Sequence, residues 1–426
     1  LTGQDFVPTS PPTDDPSFNS FDDVKPITVS AYIQDKIEYD DFIVNAGVRL
    51  DYFDPRSRVP ADPSDPNIFS PLTKENQFRD ENGDGVITAE EERADNRISV
   101  EEREAYWWAN TESRLMIAPR LGVAYPITEQ GVIHFSFGLF YQIPTLNNLF
   151  DQFGFKVPSL SGQYGVFGNP ELEPQRTSMF EIGFKQGFGD FVLDVTGYYR
   201  DIRNWVGTSP PIQTGLAGVS YFIYANRDYA NTRGITLSFN KRFDDNWGFD
   251  TSYTFQIAEG SNSNPADEFF ASLGNNQPTL ALLPLGWDQR HKIGGAFYLG
   301  GDLWGASMRY RFESGFPYTP GFAEAALVGN DVRPEFASNS RRMASTWEVD
   351  LSVYKEFEVG TLKPRIFMEI FNLFDRRNVA NVFSDTGEPD LTLFQLQTGA
   401  FDPGFWVRPE NYREPRRIQL GLEFRF

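Results

Sequence analysis

The last ten residues put Ile418, Leu420, Leu422, Phe424 and Phe426 on one face of a strand and Gln419, Gly421, Glu423 and Arg425 on the other, because strand side chains alternate with period two. One face is wholly apolar and ends on an aromatic ring; the other is polar. Such a terminal strand reads as the closing strand of an outer-membrane β-barrel, with one face toward lipid and the other toward a lumen. The alternation recurs upstream. In residues 191–200, Phe191, Leu193, Val195 and Tyr199 alternate with Asp194, Thr196, Tyr198 and Arg200. In residues 132–142, Ile133, Phe135, Phe137, Leu139 and Tyr141 alternate with His134, Ser136, Gly138 and Gln142, with Phe140 as an exception on the polar face. Ala306, Met308 and Tyr310 alternate with Ser307, Arg309 and Arg311. A face carrying His, Asp, Arg and Gln is wet or is filled by a polar plug, since burying it dry would cost roughly several kcal/mol for each unpaired group.

Scanned for this period, the chain holds about thirteen strands, at residues 27–39, 42–54, 113–127, 132–144, 174–187, 191–204, 221–243, 247–258, 287–299, 303–315, 344–358, 362–374 and 413–426. Tight turns at 40–41, 128–131, 188–190, 244–246, 300–302 and 359–361 join them in pairs, and a long connection follows each pair. Short turns on one side and long loops on the other are the periplasmic and extracellular sides of bacterial outer-membrane barrels. The expected fold is all-β: an antiparallel transmembrane β-barrel with long extracellular loops. Bacterial single-chain barrels close with an even number of strands, both ends periplasmic. An odd count ending at a periplasmic Phe426 makes residues 1–26 the tail of an extracellular loop and residues 27–426 the C-terminal part of a larger barrel.

Composition agrees with this picture. Mean hydropathy is −0.42, and no stretch approaches the roughly 20 apolar residues of a transmembrane helix; a barrel needs only alternate residues apolar. Aromatic residues make up 15% of the chain, enough for two interfacial girdles. Cys is 0, which removes disulfides, thiolate metal sites and Cys nucleophiles together. The net charge of −21 argues against a nucleic-acid partner, which wants a basic face, and is read as the charge of long solvated loops.

Several segments resemble TonB-dependent outer-membrane receptors, particularly the group whose N-terminus carries a carboxypeptidase-regulatory-like domain. They are Ser30-Ala-Tyr-Ile-Gln-Asp35, Pro119-Arg-Leu-Gly-Val-Ala-Tyr125, Asn169-Pro-Glu-Leu-Glu-Pro-Gln-Arg-Thr177, Asp288-Gln-Arg-His-Lys292, Ser314-Gly-Phe-Pro-Tyr-Thr-Pro320 and Asn372-Leu-Phe-Asp375. The resemblance implies a barrel of about 22 strands filled by a plug, of which this chain supplies the last thirteen or so. It also implies TonB-dependent import of a bulky nutrient, outer-membrane lipid as surroundings, and a TonB energy-coupling system acting through a plug that this chain does not contain. A substrate-capturing surface lipoprotein is a further implied partner.

One loop has its own chemistry. Residues 80–91 fit an EF-hand calcium loop: Asp80, Asn82 and Asp84 at positions 1, 3 and 5, Gly85 at the sharp turn, the Val86 carbonyl at 7, Thr88 at 9 and Glu91 as the bidentate position 12. Hard oxygens suit a hard cation, and this spacing wraps them around one centre. The loop falls in an expected extracellular insertion at 55–112, and the expected role of Ca²⁺ is a structural clip. An echo at 95–102, with Arg97 where Val86 stands and Arg93 where Asn82 stands, is read as a structural partner without an ion. Residues 101–110, with Trp107 and Trp108, are expected to form a short helix in which the tryptophans pack.

Nothing in the chain reads as an enzyme. His134 and His291 lack metal-site spacing and are both read as lumen-facing; neither G-x-S-x-G nor a Walker-type loop occurs. Asp194, Asp250, Glu348, Asp350 and Glu369 are the carboxylates expected of a barrel interior. Leu146, Phe150, Phe153, Phe155, Phe401, Phe405 and Trp406 either contact ligand or pack loop on loop. Two readings compete with energised import: a passive porin, and a calcium-stabilised surface structural or adhesive protein.

Overall fold

The structure, a computed structural model, describes residues 24–39, 42–273, 282–321, 338–358, 360, 362–400 and 408–425. The 40–41 turn, Val359, Thr361, residues 1–23, Phe401, Phe405, Trp406 and Phe426 lie outside them.

Thirteen strands follow one another in chain order through one antiparallel sheet. They are β1 (Ile27–Glu38), β2 (Ile43–Asp54), β3 (Arg114–Thr128), β4 (Gly131–Gln142), β5 (Gln175–Phe188), β6 (Phe191–Thr208), β7 (Val219–Asp244), β8 (Trp247–Gly260), β9 (His291–Gly301), β10 (Trp304–Glu313), β11 (Thr346–Glu356), β12 (Lys363–Phe371) and β13 (Arg417–Arg425). Each expected strand has its counterpart. Among the described residues β1 pairs only with β2 and β13 only with β12.

The turns follow from their residues. Asp245 and Asn246, between the paired Asp244 and Trp247, both have positive φ, as a two-residue I′ hairpin requires and as Asp and Asn tolerate. Asn372 and Asp375 also have positive φ, which shapes the Asn-Leu-Phe-Asp segment into the turn that leaves β12. Asn372 is buried there, donating to the carbonyls of Arg376 (3.0 Å) and Glu414 (3.2 Å) and accepting from the Arg376 amide.

Register separates the two faces. Gln34, Gly47, Arg120, Gly138, Met179 and Arg200 stand side by side across β1 to β6. Three residues along each strand, Phe135, Ile182, Gly197, Ile235 and Phe255 form a row on the opposite face. Apolar side chains of that second face, Ile182, Ile235, Leu237, Leu420 and Leu422 among them, are exposed. A soluble sheet rarely leaves so large an apolar surface in water; lipid accounts for it.

The buried clusters lie at the loop end. Phe53, Met116, Leu149, Phe150, Leu172 and Val206 form one; Leu72, Phe155, Val157, Phe167, Val219 and Tyr221 form another. A third gathers Ile202, Ala230, Ala258 and Leu285. Packing energy is thus concentrated where the long connections meet the sheet.

Candidate functional site: lumen wall, outer loops and acidic loop

The polar face carries a run of hydrogen-bonded and ion-paired groups. Asp194 accepts from Thr196 (3.0 Å), Asp250 from Tyr298 (3.1 Å), Glu181 from Ser136 (3.2 Å) and Asp350 from the Asn372 amide (3.0 Å), while Glu348 pairs with Arg311 at 3.4 Å. Glu369 shares the face, opposite Ser352 and Gln419. Phe140 does stand on this face, and the structure gives the reason. Its ring lies over Gly138, where an added Cβ would come within 2.7 Å of it, and the Arg120 guanidinium covers it at 4.7 Å. A cation on an aromatic face keeps the ring shielded in a wet lumen. His134 is on the lumen wall too, its ring over Gly183. His291 is not. It pairs with Phe255 and starts the outward row of β9, with its Nδ1 2.9 Å from the Tyr253 hydroxyl. The alternation places Lys292, not His291, toward the lumen, and the histidine joins an aromatic rim.

Above the membrane the described loop residues between β2 and β8 are folded. A transmembrane strand needs about 9–11 residues; β6 and β7 run to 18 and 26 and carry a second tier. Gly162–Phe167 pairs in parallel with the start of β7, and Ile212–Gln213 pairs antiparallel to it. The 55–112 segment leans on this tier: Asn67 Nδ2 donates to the Val157 carbonyl (2.9 Å), the Tyr221 hydroxyl to Pro63 (2.8 Å) and the Gly215 amide to Ser64 (2.8 Å). Two buried charges organise it. Asp65 accepts from the amides of Leu72 and Thr73 and the side chains of Thr73 and Asn76; Arg103 donates to the carbonyls of Ile68 (2.8 Å) and Ile98 (2.7 Å). Sequence reasoning missed both. Their partners are mostly backbone groups, 5 to 35 residues away in the chain, and leave no motif.

The loop connecting β4 to β5 turns inward. Thr145 caps the helix Leu146–Phe150 by accepting from the Asn148 amide, and Leu149 and Phe150 bury themselves in a cluster with Phe53 and Met116, which belong to the lumen face. Of the loop residues expected either to pack or to touch ligand, Phe150 and Phe155 pack, and Leu146 is exposed beside the mouth.

In the acidic loop, Gly83 and Gly85 hold φ of +74° and +83°, which an L side chain rarely adopts. Asp80 accepts from the amides of Gly83 (2.6 Å) and Gly85 (2.7 Å), Asn82 from Asp84 (2.8 Å) and Asp84 from Val86 (2.8 Å). Glu91, buried, closes the loop. One oxygen accepts from the Glu81 amide (2.9 Å), the other from the Thr88 amide (2.8 Å) and hydroxyl (2.9 Å). Those bonds, the Thr88 amide first, hold the Glu91 carboxyl below the usual range. Ile87 is buried and Val86 exposed. Among the described residues no group of three or more His, Cys, Asp or Glu stands arranged to hold a metal ion, so Asp80, Asp84 and Glu91 are not gathered about one point. The donor set nevertheless fits a hard cation, and an oxygen that accepts one amide keeps a second lone pair.

The echo segment closes the base of this loop. Asn96, buried, donates to the carbonyls of Arg79 (2.7 Å) and Glu91 (2.9 Å), and Phe78 bridges Arg97. Arg79 forks onto Glu102 at 2.7 Å and, with the Ser99 amide, holds that carboxyl down to about 2. The expected helix at 101–110 is shorter, Val100–Glu104, and Trp108–Asn110 is a strand against Arg58–Pro60. Trp107 turns the chain inward, buried with its indole N–H on the Pro66 carbonyl at 3.3 Å, and Trp108 lies under Arg58 at 4.4 Å. The tryptophans pack.

A family profile described as TonB dependent receptor-like, beta-barrel matches residues 1–373. The vitamin B12 transporter BtuB of Vibrio vulnificus (strain CMCP6) is 31% identical over 155 residues, covering 31% of this chain and 22% of that protein. The ferric-catecholate import receptor Fiu from E. coli K12, in its closed form, superposes with a TM-score of 0.52 at 17% identity, over 94% of this chain and 44% of that one. The FrpB iron transporter from Neisseria meningitidis (F3-3 variant) gives 0.53 at 12% identity, over 93% and 45%. At those identities the two structures show the fold, and the chain spans less than half the length of each of these three proteins. Since the profile runs unbroken from β1 through β12, the chain belongs to the TonB-dependent receptors of the outer membrane, in their β-barrel.

Proposed function

We propose that this chain is the wall and outer-loop portion of a receptor that imports a bulky, scarce nutrient with energy from the TonB system. The observation that carries the reading is the inward-turned helix Leu146–Phe150 over the lumen-face residues Phe53 and Met116. A passive porin needs an open mouth; a receptor needs a structured one that holds ligand until force is delivered. The vitamin B12 and ferric-catecholate named for the relatives are ligands of the proposed class, and the ligand proposed here goes no further than that class. We assign no catalytic step. Residues 27–426 are read as the C-terminal part of a barrel of about 22 strands, residues 1–26 as the tail of an extracellular loop, and residues 55–112 as an extracellular insertion. TonB would act through a plug elsewhere in the protein, and a surface lipoprotein is a proposed capture partner.

Within the insertion we propose that Asp80, Asn82, Asp84, the Val86 carbonyl, Thr88 and Glu91 take one Ca²⁺ as a structural clip. Binding requires Glu91 to exchange its amide donors for the ion.

The test is uptake by cells expressing the intact receptor, using vitamin B12 and a ferric catecholate as probes, with and without a protonophore or the TonB protein. Energised import predicts accumulation of at least one probe that stops when either is compromised. Accumulation indifferent to both would establish a passive pore. Calcium-dependent adhesion with no flux would favour the surface-protein reading.

A further inference from the structure

The lipid-facing side of the sheet carries a groove of about 440 Å³ along β5 to β8, walled by Phe180, Ile182, Tyr199, Ile235 and Phe255, with Gly197 as its floor. Gly197 interrupts a row of bulky side chains. Neither its neighbours nor its backbone require a glycine. An added Cβ would meet only Ile182, at an ordinary 3.9 Å, and its φ is not in the left-handed range. The missing side chain therefore makes space and does nothing else for the fold.

One charged residue borders that space. Arg233, opposite Tyr199 across the β6–β7 ladder, stands above the periplasmic end of β7 at Asp244 by about the 9–11 residues that cross a bilayer. It marks the outer interface. Its guanidinium donates to Asn231 at 2.7 Å and pairs with Glu259 at 3.1 Å. Glu259 also lies 4.0 Å from Arg290, Arg290 pairs with the buried Asp288 at 2.8 Å, and Asp288 is shared with Arg342. Three guanidinium groups thus share two carboxylates, which leaves one positive charge on the network. Arg233 has N–H donors to spare, since a guanidinium carries five.

We propose that the groove holds one acyl chain of an anionic, phosphate-bearing lipid of the outer leaflet, with its phosphate on Arg233. At the depth of Gly197 the bilayer supplies hydrocarbon and no water, and a gap there forfeits dispersion contacts that a chain restores. At the depth of Arg233 a phosphate completes the charge balance and accepts the remaining N–H groups in the forked geometry arginine favours. The site is separate from the lumen and needs no transported ligand.

The experiment is native mass spectrometry of the intact receptor in detergent, titrated with phosphatidylglycerol and with phosphatidylcholine of identical acyl chains. The wild type should retain phosphatidylglycerol several-fold more than phosphatidylcholine. Arg233→Gln should lose the preference and bind the two alike. Gly197→Leu, which fills the floor, should lose both. Gly197→Ala, for which the backbone has room, should weaken both several-fold and serves where the leucine variant does not assemble. Equal retention of the two lipids by the wild type, or unchanged retention in the Gly197 variants, overturns the proposal.

Discussion

Glu91 shows at the scale of one residue how spacing and structure divide the information. The twelve-residue spacing of oxygen donors is written in the sequence, and so is the glycine at the turn, since only a residue tolerant of positive φ serves there. What the spacing leaves out is that both Glu91 oxygens accept backbone hydrogen bonds from the two ends of the loop. A cation must compete with those donors, and the expected affinity is that of extracellular calcium modules, about 10⁻⁴–10⁻³ M. Calcium titration of the receptor followed by calorimetry checks this. Glu91→Gln, which offers a single side-chain oxygen in place of two, should abolish the heat of binding, and the Glu81 and Thr88 amides should exchange faster with solvent when calcium binds. An unchanged isotherm in the variant would remove Glu91 from the site. Asp65 and Arg103 are the opposite case. Each satisfies main-chain groups brought together by the fold, and an isolated Asp or Arg in a polar stretch gives no hint of it.

At the scale of elements, alternation made all thirteen strands legible because each is half in lipid and half in a polar lumen. It failed where an element leaves the bilayer. Beyond the membrane β6 and β7 lengthen, and β7 recruits the strand Gly162–Phe167, which belongs to a loop with no two-residue period facing lipid. His291 was misplaced for a related reason: at the rim, an outward residue meets aromatic side chains and polar headgroups, so polarity no longer reports the face. The acidic insertion is held at its base by the Phe78–Arg97 bridge and the Arg79–Glu102 pair. Glu102 also completes the capping box of the helix Val100–Glu104. Its carboxyl is lowered from an ordinary 4.5 to about 2. A depressed carboxyl contributes stability that is complete above the ordinary value and is lost as pH falls through the folded one. Protection of the insertion from proteolysis should therefore exceed that of Arg79→Ala throughout pH 5–7, and the two should converge between about pH 4.5 and 2. A gap between the proteins that stays constant across that range would show that the pair does not hold the base.

For the whole molecule, the deciding property is which side of the pleat a residue occupies, because the two sides face different solvents. Leu237 and Thr236 are neighbours in β7. Leu237 is exposed on the apolar face, opposite Val195 and Tyr253, whereas Thr236 stands among Thr196 and Thr254 on the polar face. Backbone and depth are otherwise shared, apart from a hydroxyl contact of 3.4 Å between Thr236 and Thr254, so the pair compares the two solvents. Both lie near the middle of β7's crossing, where arginine on the lipid side of a barrel costs about 2–4 kcal/mol. Leu237→Arg should lose that much in reversible unfolding from lipid vesicles by guanidinium chloride. Thr236→Arg, with a wet lumen and long side-chain reach available to it, should lose far less. Equal losses would mean that both faces are dry, and the polar rows would then need partners filling the lumen at this depth. A smaller loss at Leu237 than at Thr236 would reverse the assignment of lumen and lipid. The proposed import path and the lipid groove at Gly197 depend on that assignment together, since one requires the polar face to be wet and the other requires the apolar face to meet hydrocarbon.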